Sequence, residues 1–343
     1  MSGGVDSSVA ALLLKRQGYD VTGVYMKNWS DPLADDCLWR DDIRDFKKVC
    51  SALKIPALIE NFEEEYRRKV VTYLINGYRH GLTPNPDMLC NREIKFKLFS
   101  IKAKKMGADM IATGHYVIKK TDHTGLHHLY SAADSAKDQS YFLSLLTQKQ
   151  LSYSLFPIGM YLKKNIRLLA KKSNLPVYNK PDSQGICFVG KVKFKDFMKK
   201  FIPSKPGPIM TTAGKFLGKH DGLAYYTIGQ RHGLHIGGGI PFFITKKDIC
   251  TNTLYVSSGE KNQELFGRDL QATNISWMTA PPKKFPYRCQ ARIRYRQPLQ
   301  HCEVHRHRKD WKIIFTKLQR AITPGQYIVF YKGDELLGGG AIT

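Results

Sequence analysis

Apolar positions in the first half of the chain alternate between two rhythms. Ser8 to Gln17 is apolar at helical spacing, Val21 to Met26 is a short apolar run suited to a buried strand, and Asp41 to Leu53 again reads as a helix. Ile55 to Ile59 suits a strand, Ile94 to Met106 a basic amphipathic helix, and Met110 to Thr113 another buried strand. Buried strands separated by helices are the pattern of an α/β domain with a doubly wound parallel sheet. Ligands of such a sheet sit at the carboxyl ends of its strands. After a helix around Asn165 to Ser173 the character changes. From about Lys193 glycine and proline punctuate short β-like pieces, at Pro206, Gly207, Pro208, Gly214, Gly218, Gly222 and Gly237 to Gly239, which predicts a small central domain. From about Asp269 the pattern alternates, as in Gln290 to Tyr295, Lys312 to Thr316 and Gln326 to Tyr331, and predicts a small C-terminal β-barrel. The expected division is 1–192, 193–268 and 269–343.

Composition narrows the partners. The 54 Lys and Arg against 29 Asp and Glu give a formal net charge of +25, which draws in a polyanion. The charge is clustered: Phe285 to Arg320 holds ten basic residues against Glu303 and Asp310, and Met160 to Lys205 twelve against Asp182 and Asp196. Such blocks suit faces that track phosphates. The apolar stretch Val9 to Leu14 is far too short to span a bilayer, so no membrane span is expected. The seven cysteines, Cys37, Cys50, Cys90, Cys187, Cys250, Cys289 and Cys302, contain no CxxC pair, which argues against a disulfide scaffold, a zinc ribbon and a cysteine-ligated cluster. A reducing, cytoplasmic compartment is expected, or the mitochondrial matrix if a transit peptide lies upstream.

Three strings carry candidate chemistry. Ser2-Gly3-Gly4-Val5-Asp6-Ser7-Ser8 opens directly into the first helix, where glycines let the backbone approach a ligand and the helix dipole points at it. It lacks the lysine of a Walker loop, so pyrophosphate binding rather than γ-phosphate transfer is expected. Asn85-Pro86-Asp87-Met88-Leu89-Cys90-Asn91 stands just before the expected basic helix. A thiol there, beside Arg92 and Lys95, gains thiolate character, and Asp87 is near enough to act as acid or base. Asp182-Ser183-Gln184-Gly185-Ile186-Cys187-Phe188 reads as a turn entering a strand. Taken alone, each cysteine also fits a structural role.

Together and in this order, SGGVDSS, NPDMLCN and DSQGICF closely resemble the tRNA-specific 2-thiouridylase family of the PP-loop ATP pyrophosphatase superfamily, over essentially the whole chain. The resemblance implies an enzyme that uses ATP to adenylate the C2 oxygen of the wobble uridine and then delivers sulfur, leaving 2-thiouridine, AMP and pyrophosphate. It implies that Cys187 carries a persulfide, that Cys90 is the other thiol, that a transient Cys90–Cys187 disulfide follows, and that Asp87 is the general acid or base. ATP contacts carry over to Ser2, Gly3, Gly4, Val5, Asp6, Ser7, Ser8, Met26 and Gly114, with Mg²⁺ arriving on the nucleotide and no protein-bound metal cluster. Asn85, Pro86 and Asp87 match the segment facing the target base, and Lys137, Asp138 and Gln139 match a tRNA-contacting segment. A persulfide donor, a cysteine desulfurase or sulfur-relay protein, is implied as partner, and a monomer is expected when free. Family members carry a parallel strand just before the loop. Here Met1 stands directly before Ser2, so the natural start is expected upstream.

In the expected barrel, Arg292, Arg294 and Arg296 fall on one face of a strand at phosphate spacing, with Tyr295 opposite; Arg294 and Tyr295 are taken as tRNA contacts. His301, Glu303, His305 and His307 also share a face, but Arg306, Arg308 and Lys309 would repel a cation, so no metal site is expected. The alternatives are a lysidine-forming or 2-thiocytidine-forming PP-loop enzyme, or a non-catalytic tRNA-binding protein. Lysidine formation needs no thiol pair, and 2-thiocytidine formation would call for CxxC cluster ligands.

Overall fold

The computed structural model describes residues 1–30, 38–182, 194–237, 239–307 and 310–343. The first helix, Val5–Arg16, starts from an extended Gly4, carries Asp6 in its first turn and Lys15 and Arg16 in its last, which complements the helix dipole at both ends. Val9, Ala10 and Leu13 bury it against Ile166 and Ala170 of a later helix, Lys163–Lys172.

Strands β1 (Gly23–Lys27) and β2 (Ala57–Asn61) pair in parallel through the crossover helix Leu38–Leu53. Strand β3 (Ile111–Ala112) is followed by a hairpin, β4 (Ile118–Thr121) and β5 (His127–Tyr130), and then by β6 (Ser154–Leu155), which pairs in parallel with β3. The expected parallel α/β character is present as two short ladders, β1–β2 and β3–β6, rather than one continuous sheet among the described residues. Beside β1, the amino group of Met1 donates to the Val24 carbonyl.

The central domain is a four-stranded sheet of β7 (Gly207–Thr211), β8 (Phe216–His220), β9 (Phe242–Asp248) and β10 (Thr253–Ser258), ordered β8-β7-β10-β9. Six strands follow: β11 (Phe266–Trp277), β12 (Tyr287–Arg292), β13 (Gln300–His307), β14 (Asp310–Arg320), β15 (Tyr327–Lys332) and β16 (Glu335–Ile342). Their order, β11-β14-β13-β12-β15-β16, closes through β11–β16 into the expected barrel, filled by Ala291, Val304, Ile313, Phe315, Ile328 and Phe330. The hairpin β4–β5 extends this sheet by pairing with β16.

Two hydrophobic seams weld the parts. Helical residues 63–79, with Cys90 and Ile94, share one buried cluster with Phe197, Ile209, Tyr225, Ile244 and Val256 of the central domain. Met88, Phe96, Val117 and Tyr141 share another with Tyr327, Val329 and Tyr331 of the barrel. Each fully buried Leu, Ile or Phe contributes about 2 kcal/mol, so the helix carrying Cys90, clamped between both seams, is held by all three domains.

His128 of β5 adds a titratable clasp. Its ring lies 2.7 Å from the Glu335 carboxylate on β16 and 3.1 Å from Asp122. The Glu335 hydrogen bond, opposed by partial burial and aided by Asp122, raises the imidazole above its ordinary 6.5. A raised histidine stabilises the fold fully below its ordinary value and loses that contribution as pH rises through the folded value. Thermal unfolding should therefore show the hairpin–barrel junction losing stability between mildly acidic and mildly basic pH, and His128→Asn should flatten that dependence.

Gly325, at φ +91°, brings the barrel loop against the chain just before the NPDMLCN string: a Cβ there would lie 2.8 Å from the Thr83 nitrogen. Thr83 N–H donates to Pro324 O at 2.8 Å, and Gln326 Nε2 donates to Thr83 O at 2.7 Å. Gly325→Ala combines left-handed strain with a backbone clash and should cost about 2 kcal/mol or more, read as a lowered unfolding midpoint.

Candidate active site

The phosphate loop is shaped by close approach of backbone to backbone. Gly3 sits at φ +70°, and a Cβ on it would fall 2.5 Å from the Asp42 carbonyl oxygen. Gly114, just after β3, is pressed so tightly on the loop that a Cβ would lie 2.6 Å from the Ser7 nitrogen and 2.8 Å from the Asp6 carbonyl carbon. Ser7 and Ser8 hydroxyls donate to the Gly4 carbonyl at 3.2 and 2.8 Å, fixing the turn. The first-turn N–H groups of the Val5–Arg16 helix have no intrahelical acceptors by construction, and the positive end of its dipole faces the same way. Met26 is buried at the end of β1. Gly114, Asp6 and Ser7 thus meet just past the carboxyl end of β3, and Met26 lies at the carboxyl end of β1, the places where a parallel sheet puts its ligands.

Asp6 faces across the loop. Its carboxylate accepts from the Tyr116 hydroxyl at 2.7 Å and from Lys163 Nζ at 2.7 and 2.8 Å. Lys163 also reaches Asp182, which Lys137 and Arg167 hold as well. Neither Lys163 nor Tyr116 was visible as a site residue in the sequence: a lysine in a basic helix and a tyrosine after a strand carry no local signature, and only the fold brings them to Asp6.

The helix bearing Cys90 starts earlier than its amphipathic pattern predicts. Asn85 caps it by accepting from Asp87 N–H at 3.1 Å, Pro86 occupies the first position, and Pro86–Leu89 passes into a wide i→i+5 helix, Cys90–Phe99, and then Ser100–Lys105. The expectation that Cys90 stands at the helix N-terminus is therefore corrected. It is Asn85, Pro86 and Asp87 that form the N-terminus, while Cys90 opens the π-helical stretch, 1% exposed in the seam with the central domain. Wide turns of this kind recur at functional sites. Cys187, with Ser183 to Lys193, lies outside the described residues, so the expected Cys90–Cys187 pairing has no geometry here.

The residues expected to touch RNA divide. Asp138 is 4% exposed and spends its carboxylate inward, accepting from Ala132 N–H, Ser140 N–H and Ser140 Oγ at 3.0–3.2 Å, with Arg292 at 3.5 Å. Gln139 Oε1 accepts from the Tyr116 N–H at 3.0 Å. Lys137 lies on the solvent side of this turn, paired with Asp182 at 2.8 Å.

The arginine strand face is also corrected. Strand β12 ends at Arg292, and the chain then turns, with Arg296 at φ +64° and Gln297 Oε1 accepting from the Ile293 N–H. Arg292 is buried over the Tyr331 ring, and Arg294 donates to Ile228 O, Ala321 O and Thr323 Oγ1, bridging the central domain to the barrel. Tyr295 packs against Phe142 with centroids 4.5 Å apart and rings tilted by 47°, and of the three arginines Arg296 is the exposed one. Among the described residues no group of three or more His, Cys, Asp or Glu is arranged to hold a metal ion.

Comparison with known proteins agrees with this layout along the whole chain. Residues 1–191 match the family described as tRNA methyl transferase HUP domain, 195–258 the tRNA methyl transferase PRC-barrel domain, and 267–342 the Aminomethyltransferase beta-barrel domain. A relative from Geobacillus thermodenitrificans, tRNA-specific 2-thiouridylase MnmA, is 49% identical over 100% of this chain and 93% of its own length. MnmA 2 of Geobacillus kaustophilus is 48% identical and the MnmA of Streptococcus pyogenes serotype M3 47%, each over 100% of this chain and 93% of its own. With a nucleotide-type loop, a capped helix bearing Cys90, and full-length identity at this level, the chain belongs to the tRNA-specific 2-thiouridylase family.

Proposed function

We propose that this chain is a sulfurtransferase that converts the wobble uridine of tRNA to 2-thiouridine at the expense of ATP. What supports the reading is the glycine loop that opens the first helix, a backbone cradle suited to phosphates, together with Met26 at the end of β1 lying in the same buried cluster as Cys90. MgATP is the substrate, and the cradle holds its phosphates with the α-phosphate toward the base. The uridine, unstacked from the anticodon loop, meets Asn85, Pro86 and Asp87. Its C2 oxygen attacks the α-phosphorus, pyrophosphate leaves, and a poor leaving group becomes AMP.

Sulfur then arrives on Cys187. The terminal sulfur of the Cys187 persulfide attacks C2 and AMP departs with the former carbonyl oxygen. The Cys90 thiolate next attacks the Cys187 sulfur; the bond between that atom and the transferred sulfur breaks, and its electron pair leaves on the sulfur now double-bonded to C2. The product is 2-thiouridine, and the enzyme is left as a Cys90–Cys187 disulfide that an external thiol must reduce. Asp87, one turn before Cys90, moves the proton. Because Cys90 is 1% exposed, tRNA binding has to open the cluster around it.

The test is isotopic. Protein loaded with a ³⁵S persulfide and quenched after one turnover with tRNA and ATP should place label in the wobble nucleoside, and non-reducing peptide mapping should find the Cys90–Cys187 disulfide. Label retained on the protein, with ATP consumed, would overturn the reading in favour of another PP-loop modification.

A further inference from the structure

Cys289 and Cys302 stand directly opposite each other on the antiparallel strands β12 and β13. Their sulfurs lie 3.8 Å apart, both residues are buried in the barrel core, and neither takes part in the thiolation chemistry above. Directly opposed residues on such strands have Cα atoms roughly 4.5–5.5 Å apart, inside the range that a disulfide bridges. Rotation about the side-chain bonds, with no shift of register, therefore brings the sulfurs from 3.8 Å to a bond of about 2 Å.

The barrel wall opens beside this pair. Strand β12 is paired with β15 only from Gln290, which faces Tyr331, to Arg292, so the ladder stops one residue short of Cys289. Past Tyr331 the chain turns back through Gly333. A groove of about 510 Å³ occupies the gap, lined by both cysteines together with Arg288, His301, Glu303 and Lys332. With two fixed cations, Arg288 and Lys332, against one acid, Glu303, the rim carries net positive charge and favours an anionic visitor. The hydrogen bond with Cys302, and then burial, hold the Cys289 thiol well above its ordinary value. Attack is slow for that reason, and the stability of the closed form decides the outcome.

We propose that Cys289 and Cys302 are a reversible oxidation site, a dithiol that closes to a cross-strand disulfide at the expense of a low-molecular-weight, anionic disulfide of the glutathione type entering through the groove. One cysteine attacks the incoming disulfide as a thiolate, and its proton passes to the departing thiolate. The second cysteine then attacks the protein sulfur of the mixed disulfide, and its proton passes to the second departing thiolate. Two cysteine thiols are oxidised to one disulfide, and the incoming disulfide is reduced to two thiols. The new bond closes the short loop 290–301 and so removes entropy from the unfolded chain. Its effect falls on barrel stability, whereas Cys90 lies in a different buried cluster.

The test incubates the reduced full-length chain overnight with glutathione disulfide, quenches with acid, alkylates, and maps tryptic peptides without reduction. Trypsin frees 289–292 and 297–306, each holding one of the two cysteines, so their link is distinct from a Cys90–Cys187 disulfide. Most of the chain should carry the 289–302 link, and dithiothreitol should remove it. In the Cys90→Ser, Cys187→Ser chain, where the catalytic thiols cannot contribute, the same treatment should raise the unfolding midpoint by about 5 °C. Adding either Cys289→Ala or Cys302→Ala should abolish the rise. Peptides 289–292 and 297–306 recovered unlinked, while the exposed Cys250 has formed its mixed disulfide with glutathione, would mark two inert core thiols and overturn the proposal. A glutathione adduct that persists on either cysteine, or a link that leaves the midpoint unchanged or lowers it, would overturn it as well. The thiolation reading stands apart from all of these outcomes.

Discussion

Cys90→Ser should lower thiouridine formation by roughly a thousandfold or more, the scale of losing a covalent nucleophile, while tRNA binding and the first ATP cleavage persist. A serine hydroxyl is not ionised near neutral pH and cannot attack the Cys187 sulfur to release the transferred sulfur to the base. The substitution is nearly isosteric, and at this buried position in the Cys90–Phe99 helix it adds a hydroxyl at a cost of about 1–3 kcal/mol, which the two seams around that helix can absorb. Nucleoside mass spectrometry for thiouridine, pyrophosphate release for adenylation and filter binding for tRNA separate the three quantities. Equal loss of all three would mean that Cys90 is a core residue and no more.

Gly114→Ala should weaken ATP use about a hundredfold, the scale on which a displacement of about 1 Å in a reacting group is felt. The added methyl would meet the Ser7 nitrogen at 2.6 Å and the Ser7 Cα at 3.0 Å, and both belong to backbone that cannot swing aside. The loop must therefore shift, taking its amides off the phosphates. Gly18→Ala is the control. Its φ is +87°, so it bears similar strain to other left-handed positions, yet a Cβ there meets nothing within 4 Å. It should lose about 1–2 kcal/mol of stability and keep its ATP kinetics. Gly114 itself is not at a positive φ, so equal loss of ATP use in both variants would point to general destabilisation and not to the packing of Gly114 on the loop.

The parts of the fold that the sequence disclosed are those written in local pattern. The Val5–Arg16 helix, β1 and the alternating barrel strands each lie within a few residues of where apolar spacing puts them. The helix bearing Cys90 was misplaced because its first turn is set by capping rather than by amphipathicity: Asn85 and Pro86 are start signals that precede the apolar stripe by eight residues or more. Arg292 to Arg296 failed for a related reason. Alternation alone continues a strand, whereas Gln297 and Pro298 end it, and the turn sends Arg294 inward to carbonyls of two domains.

The loop glycines were legible because a string of glycines opening a helix invites close backbone approach, whereas Gly114 was singled out only by the family resemblance, and its close approach to Ser7 came from the fold. Lys163 and Asp182 were not, since they stand 19 positions from each other and far more from Asp6, and an ion pair across such distances has no local trace. The inward commitment of Asp138 was hidden likewise, because its partners Ala132 and Arg292 come from a neighbouring turn and another domain.

The most direct measurement is the stoichiometry of one turnover with unmodified tRNA, persulfide-loaded wild-type protein and MgATP. One 2-thiouridine, one AMP and one pyrophosphate per uridine converted, with no thiouridine when ATP is omitted, is the predicted result. AMP and pyrophosphate formed in step with any other modified nucleoside, or thiouridine formed without ATP, would contradict it.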